Sequence, residues 1–180
     1  MRGQSILAAG VLAVSVLSAV AAVGVAIHPN DKSSWQEIAW PYPRDGWPAG
    51  RAFRCTSCGG NVELYVRPKI GFCNCDTGVA DDDEVDRVAD LDLISEKFAP
   101  LAAGKVVRVT DMSGRARAYG LTMAGGAHHT AVGFALSHRC DLLVAVTQGE
   151  GEAQALERAA LEFLASGDIH RWMMAALGGR

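Results

Sequence analysis

Four cysteines stand close together as Cys55-x2-Cys58 and Cys73-x-Cys75, with fourteen residues between the pairs. Thiols in this pattern could form disulfides, hold a tetrahedral zinc ion or exchange with other disulfides. Cys55-Thr56-Ser57-Cys58-Gly59-Gly60 has the shape of a zinc-ribbon knuckle, in which glycine lets backbone N–H groups approach the thiolates. Cys73-Asn74-Cys75 is one residue short of a second knuckle, although on a strand both of its side chains would share a face. As disulfides the four allow three connectivities. The register of a hairpin between them favours Cys58 with Cys73 or Cys75 and Cys55 with the remaining one. Cys140, the fifth, is then unpaired or exchanges into the set. A redox pair of the thioredoxin kind needs its first cysteine at a helix N-terminus, whereas Gly59-Gly60 and a strand follow Cys58.

A second set is His128, His129, His138 and Cys140, which flank one predicted strand with Met123 nearby. A soft metal such as copper would accept those ligands. The adjacent pair His128-His129 follows Ala124-Gly125-Gly126-Ala127, a setting that favours solvated polar surface over a ligand role. The run Asp81-Asp82-Asp83-Glu84 lacks the alternating oxygen ligands and central glycine of a calcium loop. Its acids suit the N-terminus of a short helix from about Asp81 to Ala89. The sequence contains no glycine-rich phosphate loop, serine elbow or HExxH, and no catalytic residue is assigned.

The elements that would position these residues begin with a membrane-directed segment. Residues 5–27 are apolar or small without a charge and follow a single Arg2. As a helix rising about 1.5 Å per residue, this run could cross a bilayer core of about 30 Å. Ala19-Val20-Ala21 and Gly24-Val25-Ala26 offer small residues for signal-peptide cleavage. Whether a cleaved signal peptide or a retained anchor, the segment places the body in the periplasm or on the periplasmic side of an inner membrane. An oxidising compartment favours disulfides over zinc or copper as the fate of the thiols.

Residues 28–50 read as a linker rich in Trp and Pro. Trp35, Trp40 and Trp47 either pack on the domain or serve as interface anchors. Ser34-Trp35-Gln36-Glu37 resembles a capping box. Residues 51–180 read as one cysteine-containing α+β domain. A hairpin is expected from Asn61 to Arg67, turning at Pro68-Lys69 and returning over Ile70 to Cys75. An antiparallel four-strand meander follows, over Lys105–Thr110, Arg115–Met123, Thr130–Leu136 and Asp141–Thr147. Two amphipathic helices close the chain on one face of that sheet. Leu156, Ala160, Phe163 and Leu164 mark the first, and Ile169, Trp172, Met173, Ala176 and Leu177 mark the second.

The chain of 180 residues is 49% hydrophobic and 21% charged, which excludes a disordered chain. Its net charge of −3 with scattered basic residues excludes nucleic acid as a partner. The segments Arg51-Ala52-Phe53-Arg54-Cys55, Gly71-Phe72-Cys73-Asn74-Cys75-Asp76-Thr77-Gly78-Val79-Ala80 and His138-Arg139-Cys140-Asp141-Leu142-Leu143-Val144-Ala145 resemble parts of small exported proteins encoded beside bacterial periplasmic methanol-oxidation systems. That resemblance covers patches from about Arg51 onward. It implies an accessory role in the maturation or operation of a quinoprotein dehydrogenase, not catalysis. Three function classes follow: a non-enzymatic accessory protein with an envelope partner, a zinc- or copper-binding protein, and a thiol–disulfide oxidoreductase.

Overall fold

Alternation of apolar residues dominates the second half of the chain, and the computed structural model shows what it builds. The structure describes residues 34–42, 45–47 and 49–178. The apolar run at 5–27 and the start of the linker lie outside them. Among the described residues, no helix is long and apolar enough to cross a membrane.

Eight strands form one antiparallel sheet: β1 (Trp35–Ile38), β2 (Arg51–Cys55), β3 (Val62–Lys69), β4 (Lys97–Pro100), β5 (Lys105–Val109), β6 (Met112–Thr122), β7 (His128–His138) and β8 (Asp141–Gly149). Their order is β1-β2-β3-β8-β7-β6-β4, and β5 joins the outer side of β6 beside β4. The expected four-strand meander is therefore corrected. Strands β5 to β8 exist, but β3 pairs directly with β8, from Glu63↔Gln148 to Lys69↔Leu142, and brings β2 and β1 into the same sheet.

The expected hairpin is corrected as well. Pro68 and Lys69 do not turn; they continue β3 opposite Leu143 and Leu142. β2 stops pairing at Arg51↔Val66, so Pro68 has a neighbour on one side only. A proline, which has no N–H to give a ladder, is tolerated at such an edge position. The real hairpin is β2–β3, with Cys55 and Cys58 at its turn.

Both faces of the sheet are covered, as the unbroken burial of β8 and of the middle of β7 requires. Val132, Phe134, Leu136, Leu143 and Ala145 face α2 (Ala153–Leu164) and α3 (Gly167–Gly178). Leu156, Ala160, Phe163, Leu164, Ile169, Met173 and Leu177 are the buried residues of these helices. Ala131, Ala135, Leu142, Val144 and Val146 face the opposite side, under α1 (Asp82–Val88) and the 3-10 turn Leu91–Leu93. Helices thus lie on two faces, where two on one face were expected. Asp81 caps α1 by accepting from the Glu84 N–H at 3.0 Å, which accounts for the acidic run. Gly133 lets α1 approach: a Cβ there would stand 2.8 Å from the Ala89 side chain.

Candidate functional site

Strand alternation puts Glu63, Tyr65, Arg67 and Lys69 on the α1 side of β3. Arg67 and Lys69 are 3% and 5% exposed, and buried cations need partners. Asp90 serves both, at 2.6 Å from Arg67 Nε and 2.6 Å from Lys69 Nζ. Lys69 also donates to the Val88 carbonyl at 2.9 Å. Asp45 takes the other side of the Arg67 guanidinium in a bidentate pair at 2.9 and 2.8 Å. The guanidinium holds the Asp45 carboxyl down to about 2. Burial works against the Arg67 charge, but Asp90 and Asp45 outweigh it and raise its pKa.

Aromatic rings roof this cluster. Trp40 meets Tyr65 edge-on at 6.2 Å and stands over Arg67 at 5.9 Å. Trp47 packs on Phe72 at 5.4 Å and over Lys69 at 5.6 Å. Gly50 makes room for Trp40, whose ring would be 2.6 Å from a Cβ there. Between Trp40, Tyr42, Tyr65, Arg67 and Val144 is a small cavity with room for a single water.

Further along β3, Glu63 accepts from Tyr65, from Arg54 at 2.7 Å and from Gln148 at 2.9 Å. Gln148 in turn meets His129 Nδ1 at 2.6 Å. Burial pushes the Glu63 carboxyl up, but the bonds from Tyr65 and Arg54 outweigh it and lower its pKa. Burial pushes Tyr42 up to about 12, and burial with the Glu63 bond raises Tyr65 further. Both tyrosines remain protonated at neutral pH. The array satisfies its own charges and fastens the 40–47 segment to the sheet. It is a clasp, legible in the sequence only as β3 alternation.

The three tryptophans pack on the sheet. Trp35, in an edge strand instead of a capped turn, stacks on Phe163 at 5.0 Å, and Trp40 and Trp47 belong to the clasp.

The cysteines pair differently from the expected connectivity. Cys55 is bonded to Cys58 and Cys75 to Cys140, leaving Cys73 as a free thiol. Hairpin register could not bring Cys58 to Cys73, because β3 runs on to pair with β8 and carries the Cys73 segment to the β7–β8 turn. There the Cys73 N–H donates to the Cys140 carbonyl at 3.3 Å. Burial, then Glu84 and Asp141, push the Cys73 thiol up. Cys55 closes a strand and is not at the start of a helix, which is the placement a thioredoxin-type pair needs.

The expected ligand set His128, His129, His138 and Cys140 is also dispersed. β7 separates His128 and His129 from His138 by nearly its whole length, roughly 30 Å at about 3.3 Å per residue. Cys140 is consumed in a disulfide. His138 instead stands beside Asp111, as does His170 of α3. Among the described residues, no group of three His, Cys, Asp or Glu is placed to hold a metal ion.

The remaining feature is the sheet edge formed by β4 and β5. Both strands pair with β6, over Lys97↔Thr122 to Pro100↔Tyr119 and Lys105↔Ala116 to Val109↔Met112. Among the described residues no strand pairs with their outer side. Phe98, Leu101 and Val106 are 37, 60 and 74% exposed, and Phe72 is the only other exposed large apolar side chain of the described residues. Lys97, Lys105 and Arg108 lie on the same two strands, which carry no acid. Lys105 reaches Glu157 of α2 at 3.0 Å. Sequence reasoning found β5 and missed β4, whose four residues are too few to show a period.

No family model matches the chain, and no curated protein matches it either.

Proposed function

We propose that the chain is an exported, non-enzymatic accessory protein of the bacterial cell envelope that works by contact. Its β4–β5 edge takes an extended acidic and apolar segment of an envelope partner as an added strand. The observation that carries this reading is that, among the described residues, three of the four exposed large apolar side chains lie along one unpaired edge whose strands carry no acid. An edge left open in this way is a template for strand addition. Pro100, at the end of β4, limits how far an added strand can extend. The two disulfides are compatible with an oxidising space. The resemblance to accessory proteins of methanol oxidation suggests a periplasmic dehydrogenase system as the setting.

The test is site-specific photo-crosslinking of the full chain in host cells, with the photoreactive residue at Val106 or Phe98 and a control at Arg171 on α3. The expected result is one adduct from the edge positions, none from Arg171, and a cross-linked peptide of acidic, extended character. Arg108→Glu should weaken that adduct. The absence of an adduct at Val106, an equal adduct at Arg171, or an adduct of twice the chain's own mass would overturn the proposal.

A further inference from the structure

Three cysteines meet where the segment after β3 crosses the β7–β8 turn. Arg139 and Cys140 form that turn, between His138 and Asp141. Two hydrogen bonds lay residues 71–73 along it. The Gly71 N–H donates to Asp141 Oδ1 at 2.6 Å, and the Cys73 N–H donates to the Cys140 carbonyl at 3.3 Å. In a sheet, residues joined by backbone hydrogen bonds stand roughly 5.5 Å apart at Cα. That is inside the span of about 4.4–6.8 Å that a disulfide bridges. Cys75 is already bonded to Cys140, with 4.4 Å between their Cα atoms. Cys140 therefore has two thiol partners within reach, two residues apart in the chain, and holds one of them.

The two partners differ in exposure. Cys73 is half-buried and packs against the apolar cluster under α1, whereas Cys75 is exposed. Burial and the Glu84 and Asp141 carboxylates keep the Cys73 thiol protonated, which shelters it from external reagents. Once deprotonated it is a strong nucleophile, because thiolate nucleophilicity rises with pKa. The Cys75–Cys140 bond stands beside it. Residues 74–78, which must shift if Cys140 changes partner, form a turn closed by the Gly78 N–H on the Asn74 carbonyl at 2.9 Å. The eight strands of the sheet do not include them.

We infer that Cys73, Cys75 and Cys140 form a thiol–disulfide exchange site that passes a free thiol between a sheltered and a displayed position. The Cys73 thiolate attacks Cys140 Sγ. The Cys73–Cys140 bond forms, the Cys75–Cys140 bond breaks, and Cys75 leaves as a thiolate that takes up the proton Cys73 lost. One disulfide and one thiol stand on each side of the step, so it needs neither oxidant nor reductant. Cys140 stays bonded to the segment after β3 in both isomers, and the covalent tie across the sheet persists. In the second isomer the thiol stands at Cys75, open to an external disulfide or electrophile. Strands β4 and β5 take no part, so the exchange is independent of the contact function.

The test is thiol trapping on the full oxidised chain, with peptide mapping of the label and of the bridges. Excess N-ethylmaleimide at mildly acidic pH, where little thiolate exists to drive exchange, should label Cys73 and leave Cys75–Cys140 intact. Dilute iodoacetamide at alkaline pH lets exchange precede trapping. It should label Cys75 and leave Cys73 bridged to Cys140, at a rate that does not change when the protein is diluted. Cys73→Ser should take no label under either condition, because its four remaining cysteines are paired. Label confined to Cys73 under both conditions would overturn the inference, as would label on Cys75 already in the acidic trap. Label on Cys75 in Cys73→Ser, or a rate that falls on dilution and so reports exchange between copies, has the same consequence.

Discussion

Asp90 shows how one residue's backbone and charge are used together. It occupies the left-handed region at φ 56°, which Asp and Asn tolerate better than other non-glycine residues. That conformation breaks the chain between α1 and the 3-10 turn and aims the carboxylate at Arg67 and Lys69. Asp90→Asn keeps the backbone preference and removes the charge. Arg67 would retain Asp45, but Lys69 would retain the Val88 carbonyl and the Trp47 and Phe72 rings with no counter-charge. Leaving a buried cation uncompensated costs about 3–5 kcal/mol, so urea denaturation should show a loss of that order. Adding Lys69→Met should recover part of it, because a hydrophobic replacement needs no counter-charge. A loss below about 1 kcal/mol in Asp90→Asn would mean that Lys69 reaches water and that the clasp is superficial.

At the scale of elements, helix α1 depends on a missing side chain in the strand beneath it. Gly133 of β7 lies under Ala89, Tyr119 and Val85, with a Cβ position 2.8, 3.3 and 3.9 Å from them. Gly133→Leu should therefore displace α1 and cost about 1–3 kcal/mol as overpacking. Near-ultraviolet circular dichroism should report the change through Tyr119. Full stability in this variant would show α1 to be a loosely seated cover. This contact explains what could and could not be read from sequence. The two C-terminal helices and β6 to β8 were legible because each is long enough to display its period, as Leu156, Ala160, Phe163 and Leu164 do, and the five residues of β5 were legible because three of them are valine. Strands β1, β2 and β4 have four or five residues, too few for alternation to stand out. Trp35 to Ile38 resembled a helix start for that reason, and Glu37 instead pairs with Arg51 at 2.8 Å. The clasp was hidden because Glu63, Tyr65 and Arg67 looked like a solvated strand face. Only the long-range arrival of Asp45 and Asp90 shows that the face is covered. The histidine cluster was hidden similarly: Asp111, His138 and His170 are distant in sequence and meet only because two hairpin turns and α3 end at one side of the sheet.

For the whole molecule, the two disulfides close loops of very different size, and that difference predicts different effects. Cys55–Cys58 spans a sequence separation of 3 and fastens one end of a hairpin already closed by its ladder. Cys75–Cys140 spans 65 and ties the segment after β3 to the β7–β8 turn. It thereby joins the two halves of the sheet, already paired through β3 and β8, a second time. Loop-closure entropy assigns about 4 kcal/mol to the long loop and about 2 kcal/mol to the short one. In a Cys73→Ser background, which prevents the neighbouring thiol from forming a substitute bridge, Cys140→Ser should thus destabilise about twice as much as Cys58→Ser. Disulfide mapping by mass spectrometry establishes the starting pairs, and urea denaturation compares the variants. The ordering is the informative result. If Cys58→Ser is the more damaging, the short bridge supports native contacts of the β2–β3 turn beyond its entropic share, and the sheet does not depend on the long staple. If Cys140→Ser dominates, the proposed contact edge at β4–β5 is carried by a platform whose central pairing, β3 on β8, is secured covalently at one end.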